Sequence, residues 1–216
     1  MRLFVAALLL SLMSGLAMAG DPPHKMRTFQ ATFGTQGERA IIQEMWQHLS
    51  NEGESKEDFL LRAGTRMRKY TLVSGYEVCA SVCASPTGRT GLIVSTNHSQ
   101  IACLITEHCP AGFSRVGEGI HSHPIPALRE DGSPRSMGKV RPNSVDRAFL
   151  RSARNRDARA SATATNPNEF SRIDIEMGAG YLVTPTQLKY QNIKANGRSA
   201  ERVVGNLPPI EQPVQE

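Results

Sequence analysis

The motif His121-Ser122-His123 contains the residues of this chain whose type and spacing are best suited to bind a metal ion. Side chains alternate along an extended strand, so histidines two residues apart lie on the same face. Zinc prefers imidazole nitrogens in a tetrahedral arrangement, and both rings can therefore reach one ion. Pro124 follows directly and favours the end of a strand. The motif predicts a zinc site where a strand ends and its side chains project into a cleft.

Catalytic zinc sites have three protein ligands and a fourth position that is open for water. Asp146 is a candidate third ligand, and it lies in the first turn of a predicted helix that begins at Asn143. Asp131 is an alternative ligand that is nearer to the histidines in sequence. It lies in the segment Glu130-Asp131-Gly132, which is typical of a turn with an ordinary turn aspartate, so Asp146 is preferred.

A further carboxylate beside such an ion can take a proton from its water. Glu77 is a candidate for this carboxylate, and it lies on the first strand predicted after a helix. Glu107 and Glu118 are the alternatives. Glu118 precedes His121 by three residues, so its side chain would face away from that histidine on a continuous strand.

Together these residues resemble the JAMM metallopeptidases of the JAB/MPN fold, whose pattern is a strand glutamate, then His-(Ser/Thr)-His-Pro, then Ser-x-x-Asp. The resemblance covers roughly residues 55–154 and is nearest to bacterial JAB-like domains of unassigned function. It implies that His121, His123 and Asp146 bind zinc. It also implies that Glu77 acts first as the general base and then as the acid for the leaving amine.

Two features depart from the family pattern. The family serine donates a hydrogen bond to the developing oxyanion, but its position here is Asn143, and Ser144 follows one residue later. The Asn143 amide can donate in the same way, and asparagine is also a preferred helix N-cap. The segment between His123 and Asp146 is also longer than the family pattern, which indicates that residues 124–142 contain an insertion.

The elements that must position these residues are predicted from apolar spacing and turn signals. Apolar residues at helical spacing over 37–49 predict an extra N-terminal helix, and a second helix is predicted after the N-cap Ser55. Strands are predicted at 76–84, 91–95 and 101–106, and a fourth short strand is predicted to end at His121. A late hairpin is predicted at 180–190. The fold class is α+β, and the resemblance implies a cytidine-deaminase-like JAB/MPN core with a mixed β-sheet flanked by helices.

The termini indicate export. Arg2, an apolar run and Ala17-Met18-Ala19 predict a signal peptide over residues 1–19. We divide the remainder into a leader with the extra helix (20–53), a JAB/MPN-like domain (54–205) and a disordered proline-rich tail (206–216). The mature protein is expected in the periplasm or secreted, without stable membrane insertion.

Four cysteines lie close together in the sequence: Cys79, Cys83, Cys103 and Cys109. An even number in an exported chain predicts disulfides. Cys79 and Cys83 would be about 13 Å apart on a regular strand, which is too far for a bond between them. Each is therefore expected to pair with Cys103 or Cys109, and both connectivities remain open.

The expected function is hydrolysis of a peptide or isopeptide bond by an exported zinc enzyme. The formal net charge of +5 is mild and no nucleic-acid motif is present, so nucleic acid is not an expected partner. The expected substrates are peptides, proteins or peptidoglycan, with peptidoglycan preferred on location alone. The alternative is a non-catalytic JAB/MPN-like binding module in the periplasm. A third class, cell-wall peptidases with a His…Asp pair before His-x-His, lacks a convincing upstream pair here.

Overall fold

The computed structural model describes residues 24–33, 37–123, 144–147, 168–171, 174, 178–193 and 199–209. The predicted signal peptide, the predicted insertion at 124–142, Asn143 and most of the predicted tail lie outside these residues. In chain order, the elements are β1 (Thr28–Phe33), β2 (Glu38–Leu49), α1 (Lys56–Ser74), β3 (Cys79–Ala84), β4 (Thr90–Thr96), β5 (Ser114–Ser122), β6 (Gly180–Val183), β7 (Gln187–Ile193) and β8 (Ser199–Asn206).

The described strands form one sheet in the order β1-β2-β4-β3-β5-β6-β7-β8. Every neighbouring pair is antiparallel except β5 and β6, which are parallel. The protein is therefore α+β with a mixed sheet, as predicted. The parallel pair is important for the site. The chain leaves β5 beside the two histidines and, after a long connection, returns as β6, which pairs with β5.

Helix α1 covers one face of this sheet. Ser55 caps its N-terminus by accepting a hydrogen bond from the Asp58 backbone N–H at 3.1 Å, as predicted. Gly75 ends the helix in the left-handed conformation, at φ 74°, which glycine adopts without steric cost. Phe59 and Met67 are fully buried against apolar residues of the strands. The candidate site lies on the opposite face of the sheet, which α1 does not cover.

The predicted N-terminal helix is wrong, because its residues form strand β2. Burial alternates along the strand, with Ala40, Ile42, Glu44 and Trp46 buried and Ile41 58% exposed. This is the period of two that a strand requires. A buried charge, Glu44, occupies one of the inward positions and interrupts the apolar alternation. The remaining apolar residues then match helical spacing by coincidence.

The predicted strand at residues 101–106 is also absent, since residues 97–113 form an irregular segment without strand pairing. Disulfides Cys79–Cys103 and Cys83–Cys109 attach this segment to β3. Both cysteines of β3 face away from the α1 core, so the segment covers the opposite face of the sheet. The structure thus selects one of the two connectivities that the sequence left open. The hairpin at 180–190 is confirmed as β6 and β7.

The disulfides indicate an oxidising, extracellular environment for the folded chain. Within the described part of the chain, no helix combines the length and apolar character needed to span a membrane.

The buried Glu44 carboxylate holds the N-terminal segment onto β2. It accepts hydrogen bonds from Arg27 at 2.9 Å and pairs with His24 at 2.8 Å and His108 at 2.7 Å. Burial opposes ionisation of Glu44. The bonds with Arg27, His24 and His108 outweigh that effect and lower its pKa to about 2. Because the folded-state pKa lies below the unfolded value, the ionised group stabilises the fold above about pH 4.5, and this contribution is lost as the pH falls towards 2.

We expect Glu44→Gln to lower the free energy of unfolding by about 3 kcal/mol at pH 7, because the folded-state pKa of about 2 lies well below the unfolded value of 4.5. The difference between the variant and the wild type should shrink as the pH falls from 5 to 3, since the wild-type carboxylate loses its advantage on protonation. Urea unfolding of both proteins at these pH values measures it. A difference that is independent of pH would show that Glu44 does not act through its charge.

Candidate metal centre

Strands β3 and β5 place both histidines on the sheet face opposite α1. Cys79 is the register partner of His121, and the Ser122 backbone N–H donates to the Val78 carbonyl at 3.0 Å. Continuing this antiparallel register places Glu77 opposite His123. Ser122 points the other way, towards α1, because successive side chains of a strand alternate.

The Ser122 hydroxyl lies 2.6 Å from that of Thr71 on α1, and both side chains are fully buried. This buried hydrogen bond fixes the residue between the two histidines to the helix layer. The central serine of the motif therefore has a structural partner and sets the direction in which the two imidazoles project.

His121 and His123 converge with Asp174 on one point. The His121 Nε2 and His123 Nε2 atoms are 3.2 Å apart. His121 Nε2 is 3.2 Å from Asp174 Oδ1, and His123 Nε2 is 3.1 Å from Asp174 Oδ2. Zinc bonds of about 2.0–2.1 Å in a tetrahedron separate neighbouring ligand atoms by roughly 3.3 Å. The two imidazole nitrogens have this spacing, and each also lies at a similar distance from one oxygen of the Asp174 carboxylate, so the three side chains are close enough to bind one ion.

No other set of three histidine, cysteine or acidic side chains in the described residues converges in this way. The His123 side chain is only 2% exposed, and those of His121 and Asp174 are 12% and 13% exposed. Two imidazoles and one carboxylate make a donor set that zinc favours, with room for a fourth ligand. The residues present therefore fit the predicted metal.

Asp174 is held by two hydrogen bonds with Ser171. The Ser171 backbone N–H donates to Asp174 Oδ2 at 2.7 Å, and the Asp174 N–H donates to Ser171 Oγ at 3.2 Å. Burial alone would raise the pKa of Asp174. The charges of His121 and His123 and their hydrogen bonds outweigh it and hold that pKa well below its usual range. The carboxylate is therefore ionised, as a metal ligand must be.

The predicted third ligand, Asp146, is not in this group, whose third member is Asp174. Asp146 does lie in a helical turn (144–147) and is fully buried. Its Oδ1 accepts hydrogen bonds from the Ser99 hydroxyl at 2.6 Å and from the Gln100 backbone N–H at 2.9 Å. The side chain thus attaches its turn to the segment after β4. Ser144 is exposed, and Asn143 lies outside the described residues.

Asp174 carries a sequence signal that the prediction missed. Ser171 precedes it by three residues, which is the Ser-x-x-Asp spacing of the JAMM pattern. The prediction chose Asp146, the first aspartate at a predicted helix start after the histidines. That choice put Asn143 at the position where the family pattern has a serine.

Glu77 lies beside the three candidate ligands and is 3% exposed. Its backbone is fixed on both sides, because its N–H donates to Ser99 O at 2.9 Å and its carbonyl accepts from Thr96 Oγ1 at 2.8 Å. Burial raises the pKa of Glu77 to about 8. The charge of His123 opposes this rise, whereas Asp174 and Asp146 add to it. A carboxyl group whose pKa is raised towards neutrality is suited to accept and return protons.

The two alternative carboxylates are committed elsewhere. Glu118 accepts a hydrogen bond from Lys56 at 2.9 Å and another from the Tyr190 hydroxyl at 3.2 Å. Glu107 is 82% exposed and forms an ion pair with Arg115. Glu77 is therefore the acidic residue outside the His/His/Asp group that best fits the predicted base.

A cavity opens beside His121 and Asp174 on the same face of the sheet. The three candidate ligands, the buried glutamate and this adjoining cavity are the parts that metal-assisted hydrolysis needs. Comparison of the chain with protein-family models, with curated proteins and with solved structures gave no match.

Proposed function

We propose that this protein is an exported zinc-dependent hydrolase of peptide or isopeptide bonds, with peptidoglycan as its preferred substrate. The observation that carries the proposal is the convergence of His121, His123 and Asp174 to within about 3.2 Å of one another beside the buried Glu77. The resemblance to JAMM metallopeptidases supports it, since Ser171 and Asp174 supply the last element of that pattern. The disulfides support a substrate outside the cytoplasm.

Zinc bound by the two imidazoles and the carboxylate would polarise the scissile carbonyl and lower the pKa of a bound water to near 7. Glu77 then takes a proton from the attacking water and transfers it to the leaving amine nitrogen. Its buried position favours this cycle, because the neutral form is stabilised after the proton arrives.

The Ser171 hydroxyl is the candidate donor to the developing oxyanion. Its oxygen accepts the Asp174 N–H, and its own proton can still be donated. Loss of one such donor typically lowers a turnover rate on the order of 10²-fold. By this assignment Ser171 replaces Asn143 and Ser144, which were predicted for that role.

The test is digestion of purified peptidoglycan by the mature protein, with newly formed amino groups as the measurement. We expect release of amines by the zinc-loaded protein, loss of release after treatment with a chelator, and recovery on addition of zinc. Bound zinc without amine release from peptidoglycan or from a panel of peptides would refute the hydrolase and favour the non-catalytic module. Absence of bound zinc would refute both the metal centre and the proposed function.

A further inference from the structure

The two outer strands of the sheet, β1 and β8, differ in how their edges are protected. Strand β8 carries the charged residues Glu201 and Arg202, and its pairing with β7 has a register shift between Leu188 and Lys189. Charges and irregular pairing are the usual means by which an edge strand avoids association. Strand β1 has neither, because its sequence TFQATF contains no charged residue, proline or glycine and its register with β2 is unbroken.

The outer edge of β1 presents backbone groups that no described strand pairs with. The Arg27 carbonyl accepts the Glu44 N–H at 2.9 Å, so the backbone groups of residue 27 point towards β2. Backbone direction alternates along an antiparallel strand, and the N–H and C=O groups of Thr28, Gln30 and Thr32 therefore point away from β2. Such a row of donors and acceptors is suited to pair with another extended chain.

The side chains of β1 are complementary to those of a second copy of the same strand. Two identical strands that are related by a two-fold axis pair antiparallel, and residues that face each other lie on the same side of the sheet. With Ala31 on the axis, each Phe29 faces Phe33 of the second copy, and each Gln30 faces Thr32 of the second copy. The aromatic pairs then lie on one side of the sheet and the polar pairs on the other.

The direction of the backbone groups favours this register. Residues 29, 31 and 33 would form the pairs that exchange no hydrogen bonds between copies, in which Cα atoms are about 4.5 Å apart and side chains are closest. Aromatic pairs at this distance stabilise a sheet. An axis at Gln30 would instead place each Phe29 opposite Ala31 and would bring no two aromatic rings together.

We propose that two copies of this protein associate through β1, antiparallel and with Ala31 on the two-fold axis, so that one sheet continues across both chains. A second copy that approaches this edge meets no charge of the strand itself. Pairing of one short edge buries less than about 1,200 Å², which is typical of weak association. We therefore expect monomer and dimer in exchange, with a Kd on the order of 10–100 µM. The dimer does not depend on the proposed function.

Sedimentation equilibrium of the mature protein from about 5 to 500 µM measures the association. The average mass should rise from that of one chain towards twice that value. Gln30→Pro removes an outward N–H and should weaken association at least tenfold. Asn206→Pro makes the same change at the edge of β8, where the Leu207 N–H points inward to the Thr186 carbonyl, and should leave association unchanged. A constant monomer mass, masses above that of the dimer, or equal weakening by both variants would overturn the proposal.

A cysteine variant tests the register and does not depend on a proline in the strand. All four native cysteines are in disulfides, so Ala31→Cys introduces the only free thiol. Across the proposed axis its two copies are within disulfide distance. Oxidised glutathione should cross-link Ala31→Cys at least tenfold faster than Val203→Cys, which is exposed on β8. Equal rates would contradict pairing through β1, and faster cross-linking of Gln30→Cys would contradict the axis at Ala31.

Discussion

Replacing Asp174 by asparagine should lower the zinc affinity of the protein by about 100-fold or more. The variant keeps an oxygen that can accept the Ser171 N–H, so this hydrogen bond is retained. It removes the negative charge that lies between the two imidazoles at 3.1–3.2 Å. Substitution of a residue that only hydrogen-bonds to a metal ligand already lowers metal affinity 10–100-fold. Loss of the charge of a ligand should therefore lower it by at least about 100-fold.

Asp146→Asn is the matched control for this prediction. Asp146 is also a buried aspartate that accepts backbone and hydroxyl hydrogen bonds, but it lies outside the group of three. Zinc per protein molecule after dialysis and competition with a chelating dye measure both variants, and thermal unfolding checks that both are folded. Full zinc content in Asp174→Asn, or loss of zinc from Asp146→Asn, would contradict Asp174 as the third zinc ligand.

Replacing Glu77 by glutamine should leave zinc binding intact and lower turnover by about 10²–10⁴-fold, the usual contribution of a general acid–base group. Glutamine has nearly the same shape but cannot take a proton from water. Glu52→Gln makes the same chemical change at an exposed carboxylate outside the cavity and should leave turnover unchanged. Release of amines from peptidoglycan is the measurement. Turnover retained by Glu77→Gln would exclude Glu77 as the base.

The same variant has a second signature that does not depend on activity. Burial raises the pKa of Glu77 to about 8 in the metal-free fold, from 4.5. An acid with a raised pKa destabilises the fold as the pH rises from the unfolded value through the folded one. Glu77→Gln should therefore stabilise the metal-free protein at pH 7, by about 3 kcal/mol, and have little effect at pH 4. Equal stability at both pH values would show that the carboxyl is not held in a desolvated site.

This pattern is expected of a functional residue. A buried carboxyl group that weakens the fold is retained only where its chemistry is needed. Glu44 is the useful contrast, because it is also buried on the sheet but is paired with Arg27 and two histidines. Its pKa falls to about 2, whereas that of Glu77 rises to about 8. The same residue type is thus a structural anchor at one position and a candidate base at the other.

The prediction of the N-terminal helix failed for a reason connected with this contrast. Sequence patterns assume that inward positions are apolar, and Glu44 is an inward charge whose partners come from residues far away in the chain. The residues near Glu44 in the sequence give no indication of these distant partners. The strand at 101–106 failed in a similar way, because disulfides to β3 hold that segment over the sheet without strand pairing.

The amino-acid sequence by itself determined the features that depend on near neighbours. The spacing of His121 and His123 fixes both rings on one face of a strand, Ser55 caps α1, and residues 180–190 form a hairpin. Each follows from alternation, capping or turn chemistry within a few residues. Tertiary structure alone decided which aspartate completes the group of three and which cysteines pair. The first choice depends on where the long connection after β5 returns to the sheet, and the second depends on how the segment between β4 and β5 lies over β3. Chain order specifies neither position.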